Sequence, residues 1–331
     1  MKHVMITTLV LAVLCTPLAA MGERPTVLII ASYHKEYLWQ ANYQAGIMEK
    51  LGTDYQVDIF EMDTKRLPKS EYKKRAQLAW EYYEKVQPEL VFLGDDNALR
   101  YLTPKFAETD TPVVYLGINN NPKKYGASDK KNITGVLERP LYKQSIKMLQ
   151  VLLDKKPRNV MFLFDDGVTT RAVVSMTFRN KTKLRIHGVP VQVKRVGTLK
   201  RWQETVLSAK EDGFDAIVTG GYNTIKDEQG QHVPITQIGQ WTNAHTPVPM
   251  FSFWSFSVAA DQTIGGLVLF GKSQGEKAGE LALRILKEGV SPGEIRPAVS
   301  EKGRYFFSQT QLKKWGLTLP ESIASKAEYV D

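Results

Sequence analysis

The chain has 331 residues, enough for two domains of ordinary size, and 43% hydrophobic with 24% charged side chains is the composition of a folded chain rather than a disordered one. Its formal charge of +9 arises from 44 Lys and Arg against 35 Asp and Glu. Those cations are spread along the chain without a dense block or interleaved base-stacking aromatics, so they read as a solvated basic surface and argue against nucleic acid as a partner.

The N-terminus carries a targeting signal. Met1-Lys2-His3 is a short basic start, residues 4–14 form an apolar stretch too short for a comfortable membrane span, and Leu18-Ala19-Ala20 or Ala20-Met21-Gly22 offers small residues for cleavage. A cleavable secretory signal peptide is expected over residues 1–22, and the exported product is expected in the periplasm of a Gram-negative cell. Cys15, the one cysteine, falls inside it, and Val13-Leu14 lacks the small residue a lipid-attachment site wants before its cysteine. The mature chain is then expected to have no disulfide, no thiolate metal site and no cysteine nucleophile. No later run approaches the ~18 apolar residues of a membrane helix.

Strand and helix patterns then alternate. Residues 26–31 (TVLIIA) read as a buried strand, 41–51 as a helix with an apolar stripe at Ala45, Met48 and Leu51, and 57–62 as a second strand. Ser70 is placed to cap a helix running to Val86; residues 89–94 (ELVFLG) and 112–117 (PVVYLG) read as the next strands. This βαβα series predicts a parallel sheet. After 135–140 (GVLERP) the series restarts, with strands expected at 159–164, 191–196, 214–219 and 248–253. The halves echo one another: PELVFLGDDNA leads to Thr111-Pro112-Val113, and FDAIVTGGYNT leads to Thr246-Pro247-Val248. Two similar α/β lobes are the simplest reading. Residues 265–271 are expected as a strand and 278–286 as a helix, with Gly289 as its stop; a further helix is expected before a strand that crosses between the lobes. No Pro-, Gly- or Ser-rich linker separates the halves, so short crossings are expected rather than a tether.

Catalytic motifs fail one by one. Gly271-Lys272-Ser273-Gln274-Gly275 fits the G-x-S-x-G elbow of a hydrolase nucleophile and lies between a strand and a helix, but that fold places its histidine after the serine, and the last histidine here is His245. Small residues that let a helix start close to a sheet explain the motif better. Asp95-Asp96-Asn97 and Asp165-Asp166 each follow a buried strand, where capping a helix and contacting a ligand are equally open, with catalysis behind both. His34, His187, His232 and His245 have no metal-ligand spacing, and no phosphate-binding glycine loop occurs, so neither metal nor cofactor is expected.

What remains at the strand ends is a polar and aromatic set. In open parallel sheets the ligand crevice lies outside the carboxyl ends of the strands. There stand Ser32, Tyr33, His34 and Trp39; Asp95, Asp96 and Asn97; Asn119 and Asn120; Asp165, Asp166, Thr169, Thr170 and Arg171; Tyr222 and Asn223; and Trp254. Each aromatic taken singly is best read as core, but together they argue for a cleft that holds a small organic molecule. The residues expected to bind ligand are Ser32, Tyr33, His34, Trp39, Asp95, Asp96, Asn97, Asn119, Asn120, Asp166, Thr170, Tyr222, Asn223 and Trp254, with Tyr33, His34, Trp39, Tyr222 and Trp254 as walls.

From about Val27 onward the chain resembles the type I periplasmic solute-binding proteins. Within them it resembles a family of ABC-transporter substrate-binding proteins whose domain also forms the outer part of some bacterial sensor kinases. The resemblance is carried by SYHKEYLW (32–39), MDTKR (62–66), GDDNAL (94–99), PVVYLGINN (112–120), NITGVLERP (132–140) and GKSQGEKAGELALRILKEG (271–289). It implies an α/β fold of two Rossmann-like lobes with parallel sheets, joined by a three-crossing hinge. Residues 24–138 plus 271–291 are expected as lobe 1, and 139–270 plus 292–331 as lobe 2 with the tail. It also implies a non-enzymatic, monomeric binding protein that closes on a small-molecule ligand. Its membrane partner is an ABC permease or, alternatively, a sensor kinase or cyclase; an exported hydrolase is the weakest reading. The sensor-kinase relatives continue into a membrane helix, which favours a free binding protein here, whereas the first loop is more aromatic than is typical of transporter members and leaves signalling open.

Overall fold

A computed structural model describes residues 24–153, 155–299 and 303–331; the expected signal peptide lies outside the described residues. The first half builds β1 (Thr26–Ala31), α1 (Leu38–Leu51), β2 (Gln56–Glu61), α2 (Tyr72–Val86), β3 (Leu90–Gly94), α3 (Asp95–Phe106), β4 (Val113–Ile118) and β5 (Ile133–Leu137). The second adds α4 (Tyr142–Leu152), β6 (Val160–Asp165), α5 (Val168–Phe178), β7 (Lys183–Ile186), β8 (Val189–Val196), α6 (Leu199–Leu207), β9 (Ala216–Thr219), α7 (Ile235–His245) and β10 (Met250–Ser252). The chain closes with β11 (Gly265–Val268), α8 (Gly271–Leu286), β12 (Ala298–Val299), β13 (Arg304–Phe307), α9 (Gln309–Lys314), α10 (Glu321–Ala324) and β14 (Ala327–Tyr329).

The apolar runs become central strands because helices cover both faces of their sheets. One sheet has the order β12-β5-β4-β3-β1-β2 with every pairing parallel; a second runs β10-β9-β6-β8-β7 and is parallel except at its β7 edge. The two have the same winding, with β6, β8, β9 and β10 in the places of β1, β2, β3 and β4. The echo between the two Thr-Pro-Val segments is therefore structural, since they lead into β4 and β10, the partners of β3 and β9. A small third sheet, β11-β13-β14, leans on the second body. The chain passes between the bodies after β5, before α8 and between β12 and β13, giving the doubly wound architecture of a type I periplasmic binding protein.

Several local expectations need correction. The buried face of α1 is Tyr43, Gly46, Ile47 and Leu51, while Ala45 and Met48 are exposed, because α1 packs against α8 as well as against the sheet. Ser70 does not cap α2; it sits in a 3-10 turn over Lys69–Glu71, and Glu71 occupies the cap position with no side-chain bond. Between α8 and β12 lies a single 3-10 turn, Pro292–Glu294, in place of the further helix, among the described residues. The segment from 292 was expected in the second lobe, but β12 pairs in parallel with β5 and extends the first sheet; only the later tail joins β11. The run 133–137 was not read as a strand, and it is β5.

The Gly-x-Ser-x-Gly stretch opens α8, and its small residues serve a helix pair rather than a sheet. A methyl group on Gly275 would lie 1.9 Å from the Tyr43 carbonyl oxygen of α1, and one on Gly46 would lie 2.3 Å from the Lys272 carbonyl oxygen. The two backbones approach so closely that only glycine fits.

Candidate functional site

Strand order fixes where a ligand can sit. The winding reverses between β1 and β3 in one sheet and between β6 and β9 in the other, and ligands bind at such switch points, outside the strands' carboxyl ends. The residues leaving those four ends meet. Tyr33, Tyr37, Trp39 and Asp95 from the first body, with Lys65, Asn119 and Glu138, line one cavity with Asp165, Thr169, Thr170, Asn223, Trp254 and Phe256 from the second.

Hydrogen bonds and rings close that cavity. The Asn223 amide donates to the Tyr37 hydroxyl at 3.0 Å, and the Tyr33 hydroxyl lies 3.2 Å from Thr169 Oγ1. An aromatic chain runs alongside: Tyr33 meets Tyr37 edge-on at 5.4 Å, Tyr37 meets Phe256 edge-on at 5.4 Å, and Phe256 stacks with Trp254. The volume left is about 20 Å³, room for a water molecule and not for an organic ligand. The two bodies are drawn together around it. A wider hollow of about 240 Å³ opens at one mouth, and another of about 420 Å³, lined by His34, Glu36, Arg66 and His232, opens at a second.

The cavity is acidic and buried. Asp95 is the first residue of α3, held at a left-handed φ of 67° that asparagine and aspartate tolerate better than other side chains. Its Oδ1 accepts from Trp39 Nε1 at 3.1 Å, while Oδ2 is buried without a partner. Burial pushes this carboxyl well above the usual carboxylate range, with repulsion from Glu138 adding to it and Lys65 opposing. Glu138, at the crossing after β5, is pushed up to about 8 by burial, although Trp254 Nε1 and Asn119 Nδ2 both donate to it. The Asn119 and Asn223 side-chain oxygens are also buried and unpartnered. The unfilled Asn119 and Asn223 oxygens are acceptors, and Asp95 Oδ2 is a third when its carboxyl is ionised, an arrangement that suits a ligand bringing donors.

Tyr33, Trp39, Asp95, Asn119, Thr170, Asn223 and Trp254 are brought together in this cavity, while the other expected site residues lie elsewhere. Ser32 ties the loop internally, its hydroxyl donating to the Gly94 carbonyl and accepting from the Ala98 amide. Asp96 neither caps with its side chain nor faces the cavity; it accepts from the Asn119 and Asn120 amides and the Tyr125 hydroxyl, fixing the loop that carries Asn119. Asn120 is spent on Tyr125. Asn97 and Asp166 face the 240 Å³ mouth, and His34 faces the opposite one, where burial lowers its pKa. Tyr222 was expected as a wall, but its ring packs on Trp202 in the core of the second body. Tyr37, Lys65, Glu138 and Phe256 were not among the expected site residues. Glu138 was detectable as the acidic residue ending an apolar run, and Lys65 as the cation after β2; Phe256 had no local signal.

With the geometry in hand, known proteins give its class. The family described as ABC transporter substrate binding protein matches residues 103–331, and the chain belongs to it. Among solved structures, a conserved domain protein from Vibrio cholerae superposes with a TM-score of 0.66 at 15% identity, covering 93% of this chain and 99% of that one. An ABC domain from Streptococcus pneumonia, solved with L-Trp, gives 0.65 at 15% identity over 92% and 99%. A ligand-free, open substrate binding protein with adhesive properties from Clostridium difficile gives 0.63 at 14% identity over 93% and 99%. At those identities the likeness shows the fold. No curated protein matches. Among the described residues no helix is long and apolar enough to cross a membrane.

Proposed function

We propose that this protein is a periplasmic binding protein that captures a small organic ligand between its lobes and presents the closed form to an ABC permease. One lobe is the body around β1 to β5 with α8 and β12; the other is the body around β6 to β10 with the tail. The reading is carried by one observation: the buried, unpartnered acceptors Asp95 Oδ2, Asn119 Oδ1 and Asn223 Oδ1 converge from both lobes beside an aromatic wall. Such atoms are costly to bury unless a ligand donates to them. The ligand is therefore an apolar or aromatic body bearing an ammonium group or hydroxyls. The open and closed forms exchange about the three crossings, and the ligand favours the closed form because it contacts both lobes at once.

A thermal-shift screen of the chain without residues 1–22, against amines, amino acids, sugars, nucleosides and organic anions, tests this reading. A ligand at a hundred times its dissociation constant stabilises the protein by about 2.7 kcal/mol, which moves the melting temperature by several degrees. Stabilisation confined to donor-bearing ligands, and lost in Trp254→Ala, is the expected result. A shift given only by acidic ligands that lack donors overturns the ligand class, and silence from every class overturns the capture role.

A further inference from the structure

The loop that carries Asn119 is gripped at both its amides and its carbonyls. Between β4 and β5 the register shifts after Tyr115, and Gly117 takes a left-handed φ of 70°, so the ladder is irregular where β4 ends. Asn119 and Asn120 lie past this bulge, and their peptide groups find partners outside a regular ladder. Asp96 accepts from both amides, each at 3.1 Å. Arg139 supplies the complement. Its Nη1 donates to the carbonyls of Ile118 at 2.8 Å, Asn119 at 3.2 Å and Glu138 at 2.6 Å, and its Nη2 donates to that of Asn120 at 3.4 Å. A guanidinium suits this task because its donors are fixed in a planar fork, whereas an ammonium is a compact point charge. Arg139 stands in the crossing after β5, directly after Glu138, and Pro140 biases it toward an extended backbone.

We infer that Arg139 is a positioning residue of the cleft: its guanidinium ties the end of β4 to the crossing after β5 and so fixes where Asn119 and Glu138 present their oxygens to a ligand. It acts through those two residues, which line the inner cavity while Arg139 does not. Its bearing on binding rests on the capture role proposed above, but its geometry is tested in the ligand-free chain, so failure of the one is distinguishable from failure of the other. The charge of Arg139 has a second effect. Glu138 is faced by Arg139, Asp95, Asp96, Tyr37 and Tyr142, and Arg139 is the cation of that set, opposing the burial that favours the protonated carboxyl.

The test follows the indole N–H resonance of Trp254, which donates to Glu138, in proton–nitrogen correlation spectra of the ligand-free chain without residues 1–22. Trp254→Phe assigns the resonance, and the spectra are recorded across a pH series. Arg139→Gln loses fork and charge together, so it is expected to displace the resonance and to move its titration upward from about 8. Arg139→Lys restores the charge without the fork. It is expected to return the titration toward that of the parent while the resonance stays displaced, and it carries the test alone if the glutamine variant does not fold. Trp202, buried in the core of the second lobe, is the reference and is expected to keep its resonance. A Trp254 resonance that keeps its position and its titration in the folded variants overturns the inference. Displacement of Trp202 along with Trp254 overturns it too, by assigning Arg139 to general packing.

Discussion

The Asn223 side-chain amide and the Tyr37 hydroxyl meet at 3.0 Å across the cleft, and both residues are buried, so one hydrogen bond joins the loop after β9 to the start of α1. In the closing motion proposed above it is a latch: the bond is buried as the lobes meet here, and parting them would open both groups to solvent. Tyr37→Phe removes the acceptor and leaves the Asn223 N–H unpaired in the closed form alone, at a cost of about 1 to 3 kcal/mol. The variant is expected to fold normally, to bind ligand roughly ten-fold or more weakly, and to show a larger radius of gyration than the parent in small-angle scattering. An unchanged radius together with unchanged affinity would remove the latch from the closing equilibrium.

Glu138 makes stability depend on pH. Its carboxyl titrates at about 8 in the folded protein because burial disfavours the charge, against an ordinary value of 4.5. Through that window the unfolded chain has released a proton that the folded chain still holds, so stability falls as pH rises from 4.5 to about 8. Asp95, raised in the same direction by burial and by Glu138, adds to the slope. Melting temperature of the ligand-free protein is expected to drop between pH 5 and pH 8.5, and Glu138→Gln to flatten that drop. Glutamine can still accept from Trp254, and Asn119 can turn its unpartnered oxygen toward the new amide. A variant whose melting curve keeps the full slope would show that Glu138 is not the titrating group.

Much of this architecture was legible because strands buried on both faces are apolar almost throughout, as residues 27–31, 90–94, 113–118 and 160–164 are. The site was most legible where side chains lie at or just past a strand end, as Tyr33, Asp95, Asn119 and Trp254 do. What Asp96 and Ser32 hold in place depends on loops that return from other strands, and no local pattern encodes those bonds. Tyr222 shows the same limit: one residue from Asn223, it turns into the core while its neighbour turns into the cleft. The Gly-x-Ser-x-Gly stretch resisted reading because its reason, a second helix crossing at Tyr43, comes from 232 residues earlier in the chain (275 minus 43).

Packing of α8 on α1 gives a prediction about the fold. Gly275→Ala puts a methyl group 1.9 Å from a backbone oxygen, and neither partner is a flexible side chain that can swing away. The helices must separate, a cost of about 3 kcal/mol, which lowers the melting temperature by on the order of 10 °C. Gly197→Ala is the control, since its nearest neighbouring atom is at 4.0 Å. Circular-dichroism melts compare the two; equal melting temperatures would mean that the helix pair adjusts without loss.

Asp95 sets binding against stability, and Asp95→Asn separates the two. Asparagine tolerates the left-handed backbone that position 95 adopts, and its side-chain oxygen can keep the bond from Trp39. What the substitution removes is a buried charge that Glu138 repels. The ligand-free variant is therefore expected to melt higher than the parent above neutral pH, where the parent's carboxyls ionise against burial. A ligand that brings an ammonium group, however, loses its counter-charge and meets an amide N–H where an acceptor stood. Its affinity is expected to fall by a factor of roughly a hundred, about 3 kcal/mol, the range of a charged hydrogen bond replaced by an unpaired group. Calorimetry and melting on the same preparation read both effects. A variant that melts higher and binds as before would show that Asp95 is not what the ligand contacts, and would move the donor-seeking role to Glu138 and Asn223.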